Sequence, residues 1–277
     1  MTNRICLITG GTSGVGKATA LGLAQLGATV VIVSRDKIKG TGIVQELISK
    51  TNNTNIDYLT ADLSEPESVL NLAAEFKSRY QALHLLSNNA AILPMRRTTN
   101  SRGVETIFAV NYLSHFLLTN LILDLLLKSA PSRIMTVTGN IGIIRFGKIN
   151  FNDLQLEHTF NPLKATLQAV FAKEIYFLSL AKKLEGTGVT TNTFSPGLVK
   201  SQLGRNAPVF LRPFIHAAMA FLPNHCKQAV FLASDKSIEK MTGMHYENGR
   251  AMEFKHRYFT SENFQKLNEA SEKLSYS

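Results

Sequence analysis

The chain has 277 residues, 44% of them hydrophobic, and 30 basic against 20 acidic side chains give it a net charge of +10. That length and apolar share support a full buried core and exclude wholesale disorder. The basic residues are scattered, paired only at Arg96-Arg97 and Lys182-Lys183, so they do not form the patch by which nucleic acid is bound.

RICLIT (Arg4 to Thr9) reads as the first strand. No charged region, apolar run and cleavage site lie before it, so no secretion signal is expected. Cys6 falls inside this strand. With Cys226 it makes too small a set for a disulfide framework, and a reducing cytoplasm fits. The strand runs into TGGTSGVG, whose Gly10, Gly14 and Gly16 have the spacing G-x3-G-x-G, with Thr12, Ser13 and Val15 between them. A helix over 15–26 follows. A glycine-rich turn between strand and helix lets backbone approach a pyrophosphate, and the helix aims its N–H groups at the anion. Thr12 and Lys17 are further candidates for phosphate contact.

The second strand, ATVVIV (Ala28 to Val33), ends at Ser34-Arg35. An acidic residue there would grip the ribose 2′-hydroxyl of NAD. Arg35 suits a 2′-phosphate, so NADP(H) is expected over NAD. Asp36 is placed to cap the next helix, 38–50. IDYLT (Ile56 to Thr60), a helix at 66–79 and LHLLS (Leu83 to Ser87) continue the alternation. The helix at 103–128 contains FLLTNLILDLLL, which Thr119, Asn120 and Asp124 interrupt, so a buried helix is expected and not a membrane span. RIMTVT (Arg133 to Thr138), a helix at 163–184 and VTTNTF (Val189 to Phe194) follow, with a seventh strand near Gly243 to Tyr246. This pattern predicts an α/β fold: a doubly wound parallel sheet of six to seven strands with helices on both faces. No linker or repeat divides it, so a single domain over 1–277 is expected.

On these motifs the chain resembles the short-chain dehydrogenase/reductase superfamily, especially its retinol-dehydrogenase-like branch, which implies a Rossmann fold. TGGTSGVG resembles the family's cofactor turn. ADL brings Asp62 and Leu63 to the adenine, and SNNAA brings Asn89, Ala90 and Ala91 beside the cofactor, with Ala91 in place of a glycine. FAVNYLSHF carries Asn111. SPGLVKSQL places Pro196, Gly197, Val199 and Ser201 at the nicotinamide. The resemblance implies hydride transfer between NAD(P) and a carbonyl or alcohol. In the family a Tyr handles the proton, a Lys four residues later lowers its pKa and holds the ribose, and a Ser on a strand end binds the substrate oxygen.

Those three groups are missing. The Tyr position is Thr166, the Lys position is Val170 and the Ser position is Gly139, and none of the seven tyrosines has Lys four residues on. Asn111, Asn140, Thr166 and His216 are then the candidates for catalytic hydrogen bonds. Lys173, one turn past Val170, either reaches back toward the ribose or lies at the surface or an interface. Tyr176 is expected to pack against another helix or subunit, and His115 to be structural. By resemblance the apolar segment around 205–223, which includes Arg212 and His216, is a substrate lid, so a small hydrophobic substrate is expected. The two longest helices are the family's dimer surface, implying a homodimer or homotetramer. No metal site is expected.

Three functions fit. The favoured one is a repurposed enzyme that binds NADP(H) but performs cyclisation, isomerisation or a pericyclic step. The second is an NADP(H)-dependent oxidoreductase with a non-standard proton source. The third is a non-catalytic nucleotide binder or scaffold.

Overall fold

A computed structural model describes residues 1–197, 199–200, 222–223 and 225–276. Its centre is a sheet of eight strands, among the described residues, in the order β3-β2-β1-β4-β5-β6-β7-β8. The strands are β1 Ile5–Ile8, β2 Thr29–Ser34, β3 Ile56–Thr60, β4 Leu85–Asn88, β5 Ser132–Val137, β6 Val189–Phe194, β7 His245–Glu247 and β8 Arg250–Met252. All neighbours pair in parallel except β7 and β8. Only β8 goes beyond the expected six to seven strands. Asn248 and Gly249 both adopt positive φ, as a two-residue hairpin turn requires, and β8 doubles back along β7. The segment has only three residues, Arg-Ala-Met, too few to show a periodic pattern.

Alternate strand residues feed two cores, because successive side chains point to opposite faces. Leu7, Val31 and Val33 join one core; Cys6, Ile8, Val30 and Ile32 join the other. On the second face pack α1 Gly14–Gln25, α2 Lys37–Thr51 and α8 Lys227–Ser234, through residues such as Leu23, Leu47 and Leu232. On the first face pack α3 Pro66–Arg79, α4 Thr106–Phe108, α5 Ser114–Lys128 and α7 Pro162–Lys183. Asp36 caps α2 by accepting a bond from Lys39 N, as its position suggested. The short α6, Ile141–Ile144, follows β5.

The helix expected over 103–128 begins three residues later. Gly103 has φ +76, and the Glu105 carboxylate accepts bonds from Ile107 N and Phe108 N, fixing the start of α4. A π-turn, Ala109–Leu113, joins α4 to α5. The stretch Thr106–Lys128 is long and apolar enough to cross a membrane, but 78% of its apolar window is buried inside the fold.

A further helix, α9 (Ser261–Tyr276), lies against α5 and α7. Leu267 is fully buried, Tyr112 and Ser271 share a 2.8 Å hydroxyl bond, and Phe264 stacks on Tyr176. The chain's own helix thus covers part of the surface that the resemblance assigned to a partner subunit. The expected packing partner of Tyr176 is supplied from within.

The strand order reverses at β1 and β4, since β2 and β3 lie to one side and β5 to β8 to the other. A crevice opens there at the carboxyl ends of the strands, the place where open α/β sheets receive ligands.

Candidate active site

The turn after β1 is shaped by backbone that side chains cannot share. Gly10 and Gly14 have φ +64 and +56, and a Cβ on Gly16 would stand 2.4 Å from the Gly10 carbonyl oxygen. A Cβ on Gly10 would in turn stand 2.9 Å from Ala90 Cα. Thr9 Oγ1 accepts bonds from Asn89 N and Ala90 N, tying the ends of β1 and β4 together. Ser13, extended before α1, makes no side-chain cap, and the first turn of the helix has no acidic residue. The N-terminal amides of α1 are therefore left for an anion.

Two cavities meet at this turn, both lined by Gly10, Ser13, Ala90 and Ala91. One, of about 280 Å³, runs past Thr12, Ser34 and Arg35 to Asp62 and Leu63. Arg35 is exposed there, beside Lys39. The other, of about 330 Å³, runs past Gly14, Val15, Gly16 and Asn89 to Asn111, Thr166, Pro196, Gly197 and Val199. Every described residue proposed to contact the cofactor, Lys17 excepted, thus lines one cavity or the other. Ser201 and His216, and almost all of the proposed lid at 205–223, lie outside the described residues. The glycine cradle, the uncapped helix start and the orphaned Oδ1 of Asn89 fit a dinucleotide along this path.

Helix α7 brings the reacting end together. Asn161 caps it, accepting from Leu163 N and Lys164 N, with Pro162 at its first position. From that start, Thr166, Val170 and Lys173 fall on one face and line the second cavity. Thr166 Oγ1 is buried without a hydrogen-bond partner. So is Thr138 Oγ1, in the same cavity at the end of β5. Sequence points to its neighbour Gly139, where the family's Ser falls, and carries no sign that the Thr138 hydroxyl is unpartnered. A Cβ built on Gly139 would lie 4.0 Å from Val170 Cγ1, so the space for a side chain there is open.

Lys173 is not a surface residue. It is 2% exposed, and its ammonium donates to the Val137 carbonyl at 2.6 Å. Burial lowers its pKa to about 8, the Glu174 charge opposing the shift. Glu174 itself points elsewhere: its Oε1 accepts from Thr193 Oγ1 and meets His245 Nδ1 at 2.8 Å, all fully buried. His115 is fully buried with neither ring nitrogen bonded, and burial, then the charge of Lys173, holds its pKa well below the usual value. It stays neutral, in keeping with a structural role.

Three assignments change. Asn140 turns its amide away from the cavity to the Glu247 carboxylate, because that carboxylate also takes Ile141 N at the start of α6. Asn111 lines the cavity, but its amide is committed to Ile92: Oδ1 accepts from Ile92 N and Nδ2 donates to Ile92 O. It braces the cavity wall from the centre of the π-turn, a backbone form common at functional sites. Lys17 lines neither cavity, and its ammonium pairs with Glu46 at 2.6 Å. Ala91, in place of a glycine, causes no strain, as its backbone is not left-handed. Among the described residues no tyrosine lines either cavity, and no cluster of metal ligands occurs.

The family model described as short chain dehydrogenase matches residues 4–150. Human retinol dehydrogenase 12 is 34% identical over 256 residues, covering 90% of this chain and 78% of that protein. An uncharacterized protein from Mycobacterium paratuberculosis has the same fold, with a TM-score of 0.76 at 24% identity over 100% of this chain and 94% of that one. A short chain dehydrogenase from Shigella flexneri, solved in complex with NADP, gives a TM-score of 0.70 at 22% identity, covering 88% of this chain and 96% of that one.

Proposed function

The chain belongs to the short-chain dehydrogenase family, and from that membership we propose that it is an oxidoreductase moving a hydride between NADP(H) and a small hydrophobic alcohol or aldehyde. The carrying observation is the pair of cavities joined at the glycine turn. One ends at Arg35; the other ends at the unpartnered hydroxyls of Thr138 and Thr166. When bound, the cofactor supplies the hydride. The chain's own residues bind and orient. The glycine turn and the start of α1 hold the diphosphate, and Arg35 meets the 2′-phosphate as a charge-assisted donor. Thr138 and Thr166 are free to donate hydrogen bonds to a substrate oxygen, the proton that completes the alcohol comes from water, and Asn111 keeps the wall at Ile92 in place.

The relatives' dehydrogenase names support this reading over the non-redox step favoured from sequence, and retinol in those names fits an apolar alcohol. The cavity wall agrees, with Ile92, Leu93, Val137, Val170 and Val199 around the reacting end. The test is a fluorescence titration with NADPH and NADH. NADPH should bind more tightly. Arg35→Ala should weaken NADPH by ~10- to 100-fold, the worth of a hydrogen bond to a charged group, and leave NADH unchanged. Failure of both nucleotides to bind would overturn the reading; equal effects of R35A on both would overturn the NADP preference.

A further inference from the structure

Lys173 is the only charged side chain lining the reacting-end cavity among the described residues. An ammonium has three donors, and here one is used, on the Val137 carbonyl at 2.6 Å. Among the described residues no carboxylate pairs with it, and the adjacent Glu174 is committed to Thr193 and His245. A buried charge without a counter-group is unfavourable, so a group entering the cavity with acceptor oxygens would complete its hydrogen bonding. The wall is apolar at Val137, Val170 and Val199, and the hydroxyls of Thr138 and Thr166 in the same cavity make no bond to the ammonium. A dinucleotide laid from the glycine turn along this cavity brings the hydroxyls of its second ribose, neutral acceptors suited to a lone ammonium, to this end.

We propose that Lys173 binds the nicotinamide-ribose hydroxyls of the cofactor, filling from one helical turn further along α7 the role that Val170 cannot fill. The assignment rests on the nicotinamide reading above and adds a residue to it. Position supports it, because Thr166, Val170 and Lys173 share one helix face, and a lysine stem leans toward the N-terminus of its helix, back over Val170. The bond to Val137 holds the ammonium against the end of β5, one residue before the free hydroxyl of Thr138. Lys173 thereby becomes a binding residue for the cofactor and not a packing residue of α7.

The test compares the full-length protein with Lys173→Met, a variant that keeps the apolar stem. Each is titrated with NADPH, followed by nucleotide fluorescence, and with adenosine 2′,5′-bisphosphate, followed by calorimetry. The bisphosphate contains the Arg35 end of the cofactor and lacks the second ribose. The expected result is an NADPH affinity lowered ~10-fold or more, with bisphosphate affinity unchanged, since a hydrogen bond from a charged donor is lost at one end only. Unchanged NADPH affinity in K173M would overturn the proposal. Equal loss of both ligands would also overturn it, because it would place the effect in the packing of α7. If the unsubstituted protein bound the bisphosphate but not NADPH, the nicotinamide reading would fall and the inference with it.

Discussion

At position 173 the fold holds an ammonium inside the cavity where Thr166 and Val170 offer neither an acid nor a charge. Burial sets its pKa to about 8; the Glu174 charge on α7, though bonded elsewhere, opposes the shift, and neutral His115 on α5 lies within reach of its field. The protonated form is the one able to donate to ribose hydroxyls, so the sign follows directly. NADPH affinity should stay level below about 8 and fall as pH rises through that value, and the K173M variant should lack this inflection. A titration series across that range checks it, and an inflection retained by K173M would assign it to another group. The sequence placed Lys173 one turn beyond Val170 but left its direction open, since a four-carbon stem can reach either solvent or a cavity. Thr138 lay in plain view at the end of RIMTVT, yet only packing shows that its hydroxyl has no partner. Asn140 misled for the opposite reason: its partner, Glu247, comes from a strand more than a hundred residues away.

The glycine turn was the most legible element, because its geometry is local. Spacing between a strand and a helix sufficed: Gly10 and Gly16 stand where backbone crowds backbone, and Gly14 has positive φ. Gly16→Ala should be destabilising by ~1–3 kcal/mol, the usual cost of overpacking, because its Cβ would meet the Gly10 carbonyl oxygen at 2.4 Å and neither backbone can yield cheaply. NADPH binding should weaken with it, as the turn opens. Thermal denaturation and a nucleotide titration measure the two effects; an unchanged melting temperature would show that the turn relaxes freely. The long strands and helices were legible for the same reason, through runs of apolar residues with a clear period. Helix α9 was not, because SENFQKLNEASEKLSY is mostly polar and buries only Leu267, Ser271 and Ser275. Its helicity depends on the tertiary surface it covers.

At the scale of the whole molecule, α9 closes the face formed by α5 and α7, behind the helix that carries Thr166, Val170 and Lys173. Leu267→Ala should cost ~2–5 kcal/mol, as for other fully buried leucines, and calorimetric melting would show it. A cost near zero would mean that α9 docks only loosely. Any association of copies through α5 and α7 must work over or around this helix, a constraint that the sequence did not reveal. The sheet reversal at β1 and β4, the glycine turn, Arg35 and the face of α7 all converge on one task, binding a nicotinamide dinucleotide beside an apolar pocket that has hydroxyls but no tyrosine. Whether a hydride moves there can be measured directly. The protein is incubated with a hydrophobic aldehyde and NADPH deuterated at the nicotinamide C4, each face in turn, and the alcohol is analysed by mass spectrometry. Deuterium on the carbinol carbon from one face only is the expected result. NADPH that binds but delivers no deuterium to any aldehyde offered, or a product formed without the label from either face, would contradict the oxidoreductase assignment.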